Sequence, residues 1–360
     1  MSDDHPPGLD LDALRRHLDA QLPGLVRGGL SARLIEGGRS NLTYDVTDGT
    51  GRWVVRRPPL GHVLATAHDM AREHRVLTAL HPTPVPVPGT LLLCTDDAVL
   101  GAPFYVMEFA PGTVYRRAEQ LVPLGPARTR AVVDGLVDTL VDLHAVDPAA
   151  VGLGGFGRPD GFLERQLRRW GKQLDASRSR ELPGIDELHA ALTRDLPPAA
   201  APAVVHGDYR LDNVLVDTGS TPSTGSTAEA DSAAGTADAG STVTAVLDWE
   251  MSTLGDPLTD LGLLAMYSAP AGADSPVATT ADAPGHPTAA EITARYAERS
   301  GRDVSRVPWY TAFAYFKLAV ILEGIHYRYT LGQTVGAGFD RIGALVPRFI
   351  AGGLTTLQEG

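Results

Sequence analysis

The run Val204-Val205-His206-Gly207-Asp208-Tyr209-Arg210-Leu211-Asp212-Asn213-Val214-Leu215-Val216 constrains the rest of this chain more than any other stretch. Its apolar ends read as buried strands entering and leaving, so the polar centre is a short loop whose shape is set by the sheet beneath it. Within that loop Asp208 and Asn213 stand five positions apart, His206 lies two before the aspartate, and Gly207 supplies tight backbone between them. A second apolar run, Val243 to Leu247, ends in Asp248-Trp249-Glu250, which places Asp248 thirty-five residues beyond Asn213. Acids and amides delivered from strand ends are where chemistry is expected.

With 360 residues the chain can bury a sizeable core as one large domain or two lobes. A single cysteine, Cys94, excludes an internal disulfide and fits a reducing compartment. The first residues carry no basic region followed by an apolar run, and no stretch approaches a membrane span, so the expected location is the cytoplasm, with no membrane partner. A net charge of -12 argues against nucleic acid as a partner, because phosphate backbones demand a basic surface. The two lysines, Lys172 and Lys317, neither follow a glycine-rich run nor precede Ser or Thr, which excludes a Walker-type P-loop.

Taken in order, residues 11 to 22 form an amphipathic helix on Leu11, Leu14, Leu18 and Leu22. Ser31 to Ile35, Leu42 to Val46 and Trp53 to Arg56 read as three short strands, with turns at Gly37-Gly38 and Asp48-Gly49. Strand alternation puts Val54 and Arg56 on one face and Val55 and Arg57 on the other, so only one of the two arginines can face a given ligand. A helix follows, with Thr66 and Asp69 in capping-box spacing and Glu73 inside it. After a proline-rich run, Thr90 to Cys94 and Phe104 to Phe109 return to strand.

From Pro123 onward the pattern turns helical, with Val132, Leu136, Leu140 and Leu143 on one stripe that ends at His144, expected as a cap or core contact. Gly152 to Gly157 satisfies G-x-G-x-x-G literally, but no strand precedes it and no helix start follows, so it is a loop. Phe162 to Gln173 is a helix bearing Arg165, Arg168, Arg169 and Trp170. The segment 218–242, rich in Gly, Ser, Thr and Ala, cannot bury enough apolar area to offset ordering entropy and is expected to be disordered. Asp256 and Asp260 open another helix, either as caps or as ties to the central loop. In a final helix, Pro308 to about Tyr329, Lys317 stands in an apolar run, where it either snorkels to water or binds an anion.

The form His206-Gly207-Asp208-x-x-x-x-Asn213 resembles the catalytic loop of the protein-kinase superfamily in its aminoglycoside phosphotransferase branch. The phrases Val55-Arg56-Arg57-Pro58-Pro59, Tyr105-Val106-Met107-Glu108, Asp248 to Pro257 and Tyr315 to Ile325 resemble more closely the kinase-like domain fused to acyl-CoA dehydrogenases and its free-standing bacterial relatives. The resemblance implies an α+β, two-lobed protein-kinase-like fold with a small antiparallel-sheet N-lobe over 1–108 and a mainly helical catalytic and substrate lobe over 109–360. It implies ATP and Mg2+ as cofactors, Asp208 to accept or orient a substrate hydroxyl proton, and Asn213 and Asp248 as metal ligands. Two oxygen ligands suit Mg2+, a hard cation that keeps waters and shares the nucleotide's phosphates. Arg210 takes the place of a cation near the transferred phosphate. Arg56, preferred over Arg57, takes that of the strand lysine that grips the inner phosphates, with Glu73 as its partner. Ser40 and Asn41 would add contacts at the phosphate-covering turn, and the backbone around Glu108 would meet adenine.

The reaction implied is ATP-dependent transfer of the γ-phosphate to a hydroxyl of a small molecule, with a hydroxyacyl-CoA as the candidate acceptor. An aminoglycoside-type antibiotic kinase and a nucleotide-binding pseudokinase module are the alternatives. A cationic aminoglycoside would call for clustered acids, whereas Arg165, Arg168, Arg169 and Lys317 favour an anionic acceptor. Oligomeric state is not legible.

Overall fold

The structure, a computed structural model, describes residues 6–35, 41–60, 68–219, 242–270, 279–333 and 339–360. Ser40, the glycines at 37 and 38, Thr66 and nearly all of the 218–242 segment fall outside the described residues. The chain divides into two compact units, one of Met1–Gly112 with Thr244–Ser252 and one of Thr113–Val243 with Thr253–Gly360.

The first unit opens with α1 (Leu11–Gln21), whose start is fixed by the Asp10 carboxylate accepting the Ala13 N–H at 2.9 Å. Strands β1 (Ser31–Leu34), β2 (Leu42–Thr47) and β3 (Arg52–Arg57) follow, then α2 (Met70–Leu80), β4 (Thr90–Cys94), α3 (Asp97–Leu100) and β5 (Phe104–Glu108). Among the described residues the strands form one antiparallel sheet in the order β1-β2-β3-β5-β4. Leu11, Leu14 and Leu18 pack with Tyr44, Val46, Val55, Phe104 and Val106, so α1 covers one face of the sheet. Arg57 belongs to that same face, where its guanidinium is buried and donates to the carbonyls of Gly8 and Leu100.

The opposite register of β3 sends Arg56 toward Glu73 of α2. That helix departs from expectation at its start. Asp69 is itself the N-cap, accepting the Arg72 N–H at 2.9 Å, rather than the third residue of a capping box begun at Thr66.

The second unit is mainly helical. It comprises α4 (Ala118–Leu121), α5 (Gly125–Ala145), α6 (Phe162–Ser177), α7 (Ile185–Arg194), β6 (Ala203–Val205) and β7 (Val214–Asp217). After β8 (Thr242–Val246), within which the chain passes into the first unit, it resumes with β9 (Thr253–Gly255), α8 (Leu258–Tyr267), α9 (Ala289–Ser300), α10 (Val307–Thr330) and α11 (Val346–Glu359). β6 pairs antiparallel with β9 in the register Val204↔Leu254.

Helix α10 is apolar nearly all round and buries Trp309, Phe313, Phe316 and Val320, as a central helix must. Its buried Glu323 is neutralised by Arg180 at 2.9 Å and accepts from Ser179 at 3.0 Å. Gly262 of α8 lies directly against the backbone of Tyr310 in α10; a Cβ there would stand 2.5 Å from the Tyr310 carbonyl carbon. Glycine is what lets these two helices meet so closely. Among the described residues no helix is long and apolar enough to cross a membrane.

Candidate active site

In the first unit the polar centre is Arg56. Its Nε lies 2.9 Å from Glu73 and its Nη2 2.5 Å from Asp248, so one guanidinium bridges two carboxylates. Glu73 is 1% exposed and also accepts from the Tyr105 hydroxyl at 3.0 Å and the Asn41 amide at 2.9 Å. Burial, chiefly, raises the Glu73 carboxyl above the ordinary glutamate range, with Asp248 and Asp69 adding to it and Arg56 and Tyr105 working against it. Burial likewise disfavours the charge on Arg56, yet Tyr105, Glu73 and Asp248 outweigh it and hold the group firmly protonated.

Asp248 has φ +63°, the only non-glycine residue with positive φ among those described, an uncommon conformation that aspartate tolerates better than most residues. The β-strand that delivers it is anchored by Val246 N–H donating to Pro86 O at 2.8 Å.

Two expected nucleotide contacts look different in the structure. Asn41 is buried, and both ends of its amide are used internally: the nitrogen donates to Glu73 and Glu250, and the oxygen meets His68 Nδ1 at 2.8 Å. It supports Glu73 instead of standing ready for a phosphate. The Glu108 backbone N–H is donated to Gly89 O at 2.8 Å, and its side chain is exposed at the end of β5.

In the second unit β6 ends at the loop His206–Asn213, and a single-turn helix over Leu211–Asn213 leads into β7. Asn213 Nδ2 donates to Asp208 Oδ2 at 2.9 Å and to the Asp208 carbonyl at 2.8 Å, closing the loop on itself. Both amide protons are thereby engaged, and the Asn213 Oδ1 remains as a hard oxygen donor. Gly207 has φ +87°, a conformation that a side chain at this position would resist.

Arg210 pairs with Asp212, lies over the Tyr267 ring at 4.7 Å, and brings its Nε to 4.0 Å from Asp208 Oδ2. Burial disfavours its charge, but Tyr267, Asp212 and Asp208 outweigh the burial and hold it charged. Arg210, Leu211 and Asp212 line a small pocket with Tyr115, Tyr267 and Thr280.

The loop is tied down from beneath. Asp260 Oδ2 accepts the His206 N–H at 2.7 Å and Oδ1 the Gly207 N–H at 2.8 Å, so Asp260 is the tie that the sequence left open between two acids. Asp256, one residue before the N-cap position Pro257, instead accepts from the Leu258 N–H at 3.0 Å and the Tyr310 hydroxyl at 2.7 Å. His144, fully buried, stands 3.4 Å from Asp260 and 2.8 Å from the Tyr296 hydroxyl. Burial pushes the His144 imidazole below its usual value.

Lys317, half-buried on α10, turns its Nζ to the Gly207 carbonyl, to which it donates at 2.7 Å. Of the arginines on α6, Arg165 is committed to the carbonyls of Arg158 and Asp160, Arg168 and Arg169 are exposed, and Trp170 is core. Tyr296 and the contact of Lys317 with the loop were not foreseen, because their partners lie more than a hundred residues away and no local spacing encodes them.

Among the described residues no three His, Cys, Asp or Glu side chains gather to hold a metal unaided. Mg2+ does not require such a cage, since one or two protein oxygens suffice beside waters and phosphates, and the donor types at Asn213 and Asp248 suit it.

The sequence profile of the phosphotransferase enzyme family matches residues 31–225 and 237–298. The chain is 33% identical over 335 residues, 90% of its length, to acyl-CoA dehydrogenase family member 11 of Gallus gallus, of which the match covers 40%. It is 33% identical over 343 residues, 93% of its length, to family member 10 of Mus musculus, of which the match covers 30%. The chain thus spans well under half the length of these relatives.

Among solved structures, a candidate aminoglycoside phosphotransferase from Ralstonia eutropha superposes with TM-score 0.80 at 32% identity, covering 97% of this chain and 98% of that one. An aminoglycoside phosphotransferase solved with AMP-PNP and hygromycin B superposes with TM-score 0.58 at 14% identity, over 96% and 98% of the two chains, a likeness of fold alone.

Proposed function

Since the chain belongs to the phosphotransferase enzyme family, we propose that it moves the γ-phosphate of ATP to a hydroxyl group of a small molecule, with Asp208 as the group that takes the hydroxyl proton. The observation that carries this reading is the Asp208–Asn213 pair, locked at 2.9 Å on a loop whose backbone is held by Asp260. As the acceptor oxygen bonds to the γ-phosphorus, the bond from that phosphorus to the β,γ-bridging oxygen breaks, ADP leaves, and the proton passes to Asp208. Arg210, near Asp208 and over Tyr267, offsets the charge that develops on the transferred group.

Arg56 grips the inner phosphates, which it can do only by giving up part of its pairing with Glu73 and Asp248. Mg2+, when bound, neutralises phosphate charge, and Asn213 and Asp248 are its proposed ligands. The backbone around Glu108 is the proposed adenine contact, and Ser40 a proposed phosphate contact.

For the acceptor we favour a hydroxyacyl-CoA. The relatives named as acyl-CoA dehydrogenase family members support that class, as do the exposed Arg168 and Arg169. The name of the Ralstonia structure favours an aminoglycoside as the second reading. The single cysteine fits action in the cytoplasm.

A phosphate-transfer screen with hydroxyacyl-CoAs beside aminoglycosides separates the two acceptor classes. The catalytic reading is tested by Asp208→Asn: nucleotide affinity holds while turnover falls about 10²–10⁴-fold. Unchanged turnover would remove Asp208 from the reaction.

A further inference from the structure

The peptide plane between Gly207 and Asp208 carries the side chain on which the proposed reaction turns. Gly207 has φ +87°, and a glycine flanking a peptide plane lets that plane rotate at little steric cost, so its orientation must come from outside. Two contacts supply it. The Asp208 N–H donates to His206 Nδ1 at a long 3.2 Å, and the Gly207 carbonyl accepts from Lys317 Nζ at 2.7 Å, which is the stronger anchor because its donor is charged.

Lys317 is an odd choice for its position if packing were the only demand. It sits between Phe316 and Leu318 on the buried helix α10, with its Nζ 5.7 Å from the centre of the Trp170 ring. Burial pushes its ammonium below the ordinary lysine value, with Asp208 and Asp260 acting in the opposite sense. Keeping a charge there is a cost to folding that a methionine would avoid.

We propose that Lys317 is a positioning residue: by clamping the Gly207 carbonyl it fixes the Gly207–Asp208 peptide plane, and with it the direction in which Asp208 meets the acceptor hydroxyl. Asp260 holds the preceding N–H at 2.8 Å, so the two sides of Gly207 are gripped from α8 and α10. Gly262 is what brings those helices together. The catalytic part of the inference rests on the assignment of Asp208 above; the structural part does not.

The test uses the whole chain with Lys317→Met and, to guard against a folding defect, Lys317→Arg. Amide hydrogen exchange is read at residues 206–210, together with melting temperature, kcat and the KM for ATP. Exchange at Asp208 rises in Lys317→Met while the melting temperature holds; kcat falls about 10²-fold with little change in KM, and Lys317→Arg recovers much of both. Unchanged exchange at Asp208 overturns the clamp, and raised exchange with undiminished kcat overturns its role in positioning. If exchange rises but the unsubstituted protein transfers no phosphate to any acceptor, the clamp stands and the phosphotransfer reading falls.

Discussion

Asp260 divides its two carboxylate oxygens between consecutive backbone donors, Oδ2 to the His206 N–H at 2.7 Å and Oδ1 to that of Gly207 at 2.8 Å. Both bonds are charge-assisted and away from water, and Asp260 is 1% exposed. Asp260→Asn presents an NH2 to a donor that needs an acceptor. We expect it to lose about 3 kcal/mol of stability in urea denaturation. Turnover falls with it, because the loop backbone beneath Asp208 loses an anchor.

Arg56 is the cation that makes burial of Glu73 tolerable. Arg56→Met strands a carboxylate that is 1% exposed and should cost about 3–5 kcal/mol. Arg56→Lys keeps the charge but cannot fork to Glu73 and Asp248 together, so it should cost less. Both variants bind ATP more weakly by titration calorimetry, the methionine variant more so. Equal stability of the two variants would show that the charge at this position does not stabilise the buried Glu73.

These two residues mark what sequence could and could not reveal. The pairing of Arg56 with Glu73 was legible from the resemblance of the strand and helix that carry them, while strand alternation says only that Arg56 and Arg57 face opposite ways. Asp260 and Asp256 were not separable: both lie within one turn of the start of α8, and the donors that distinguish them are about fifty residues upstream for one and downstream for the other. His144 was expected as a cap or core contact, and it is a core contact, but its partner Tyr296 is 152 positions away.

Asn41 had the right residue type for a phosphate contact, and only tertiary packing reveals that both ends of its amide are taken. The helix α9 went unassigned although its start was encoded, since Thr288 and Glu291 form a capping box of the usual spacing.

His144 gives the stability of the second unit a pH dependence of known sign. Its folded-state pKa lies below the ordinary 6.5, chiefly because burial disfavours the imidazolium. Its contribution is therefore fully present above that value and is lost as pH falls through it toward the folded-state pKa. His144→Gln, which does not titrate, should be less stable than the unsubstituted protein at pH 8. That gap should narrow by about 1.4 kcal/mol per pH unit below the ordinary value. Urea denaturation of both proteins from pH 5 to 8 checks it; a constant gap would mean that His144 does not change protonation on unfolding.

Gly262→Ala sets two effects against each other. Alanine in place of glycine inside a helix gains about 1 kcal/mol. The new methyl, however, stands 2.5 Å from the Tyr310 carbonyl carbon and 2.7 Å from its oxygen, which are backbone atoms that cannot swing aside. Overpacking costs about 1–3 kcal/mol and has to move α8 away from α10, so the net effect is destabilising. Because Asp260 lies two residues from the clash, turnover should fall more than the stability loss alone explains; kcat measured well below the melting temperature reads that difference.

The first unit is not a continuous piece of chain. It takes Met1–Gly112, yields the chain to the other unit for residues 113–243, and reclaims Thr244–Ser252. No single cut can release it whole. A fragment ending at Gly112 would leave the Pro86 carbonyl without Val246 and Arg56 without Asp248. During synthesis on the ribosome, the amino-terminal sheet must wait with an unmet carbonyl and a half-paired arginine until residue 252 has left the exit tunnel. Completion of the second of Arg56's two pairings is therefore a late event in the birth of the molecule, although Arg56 itself is made early.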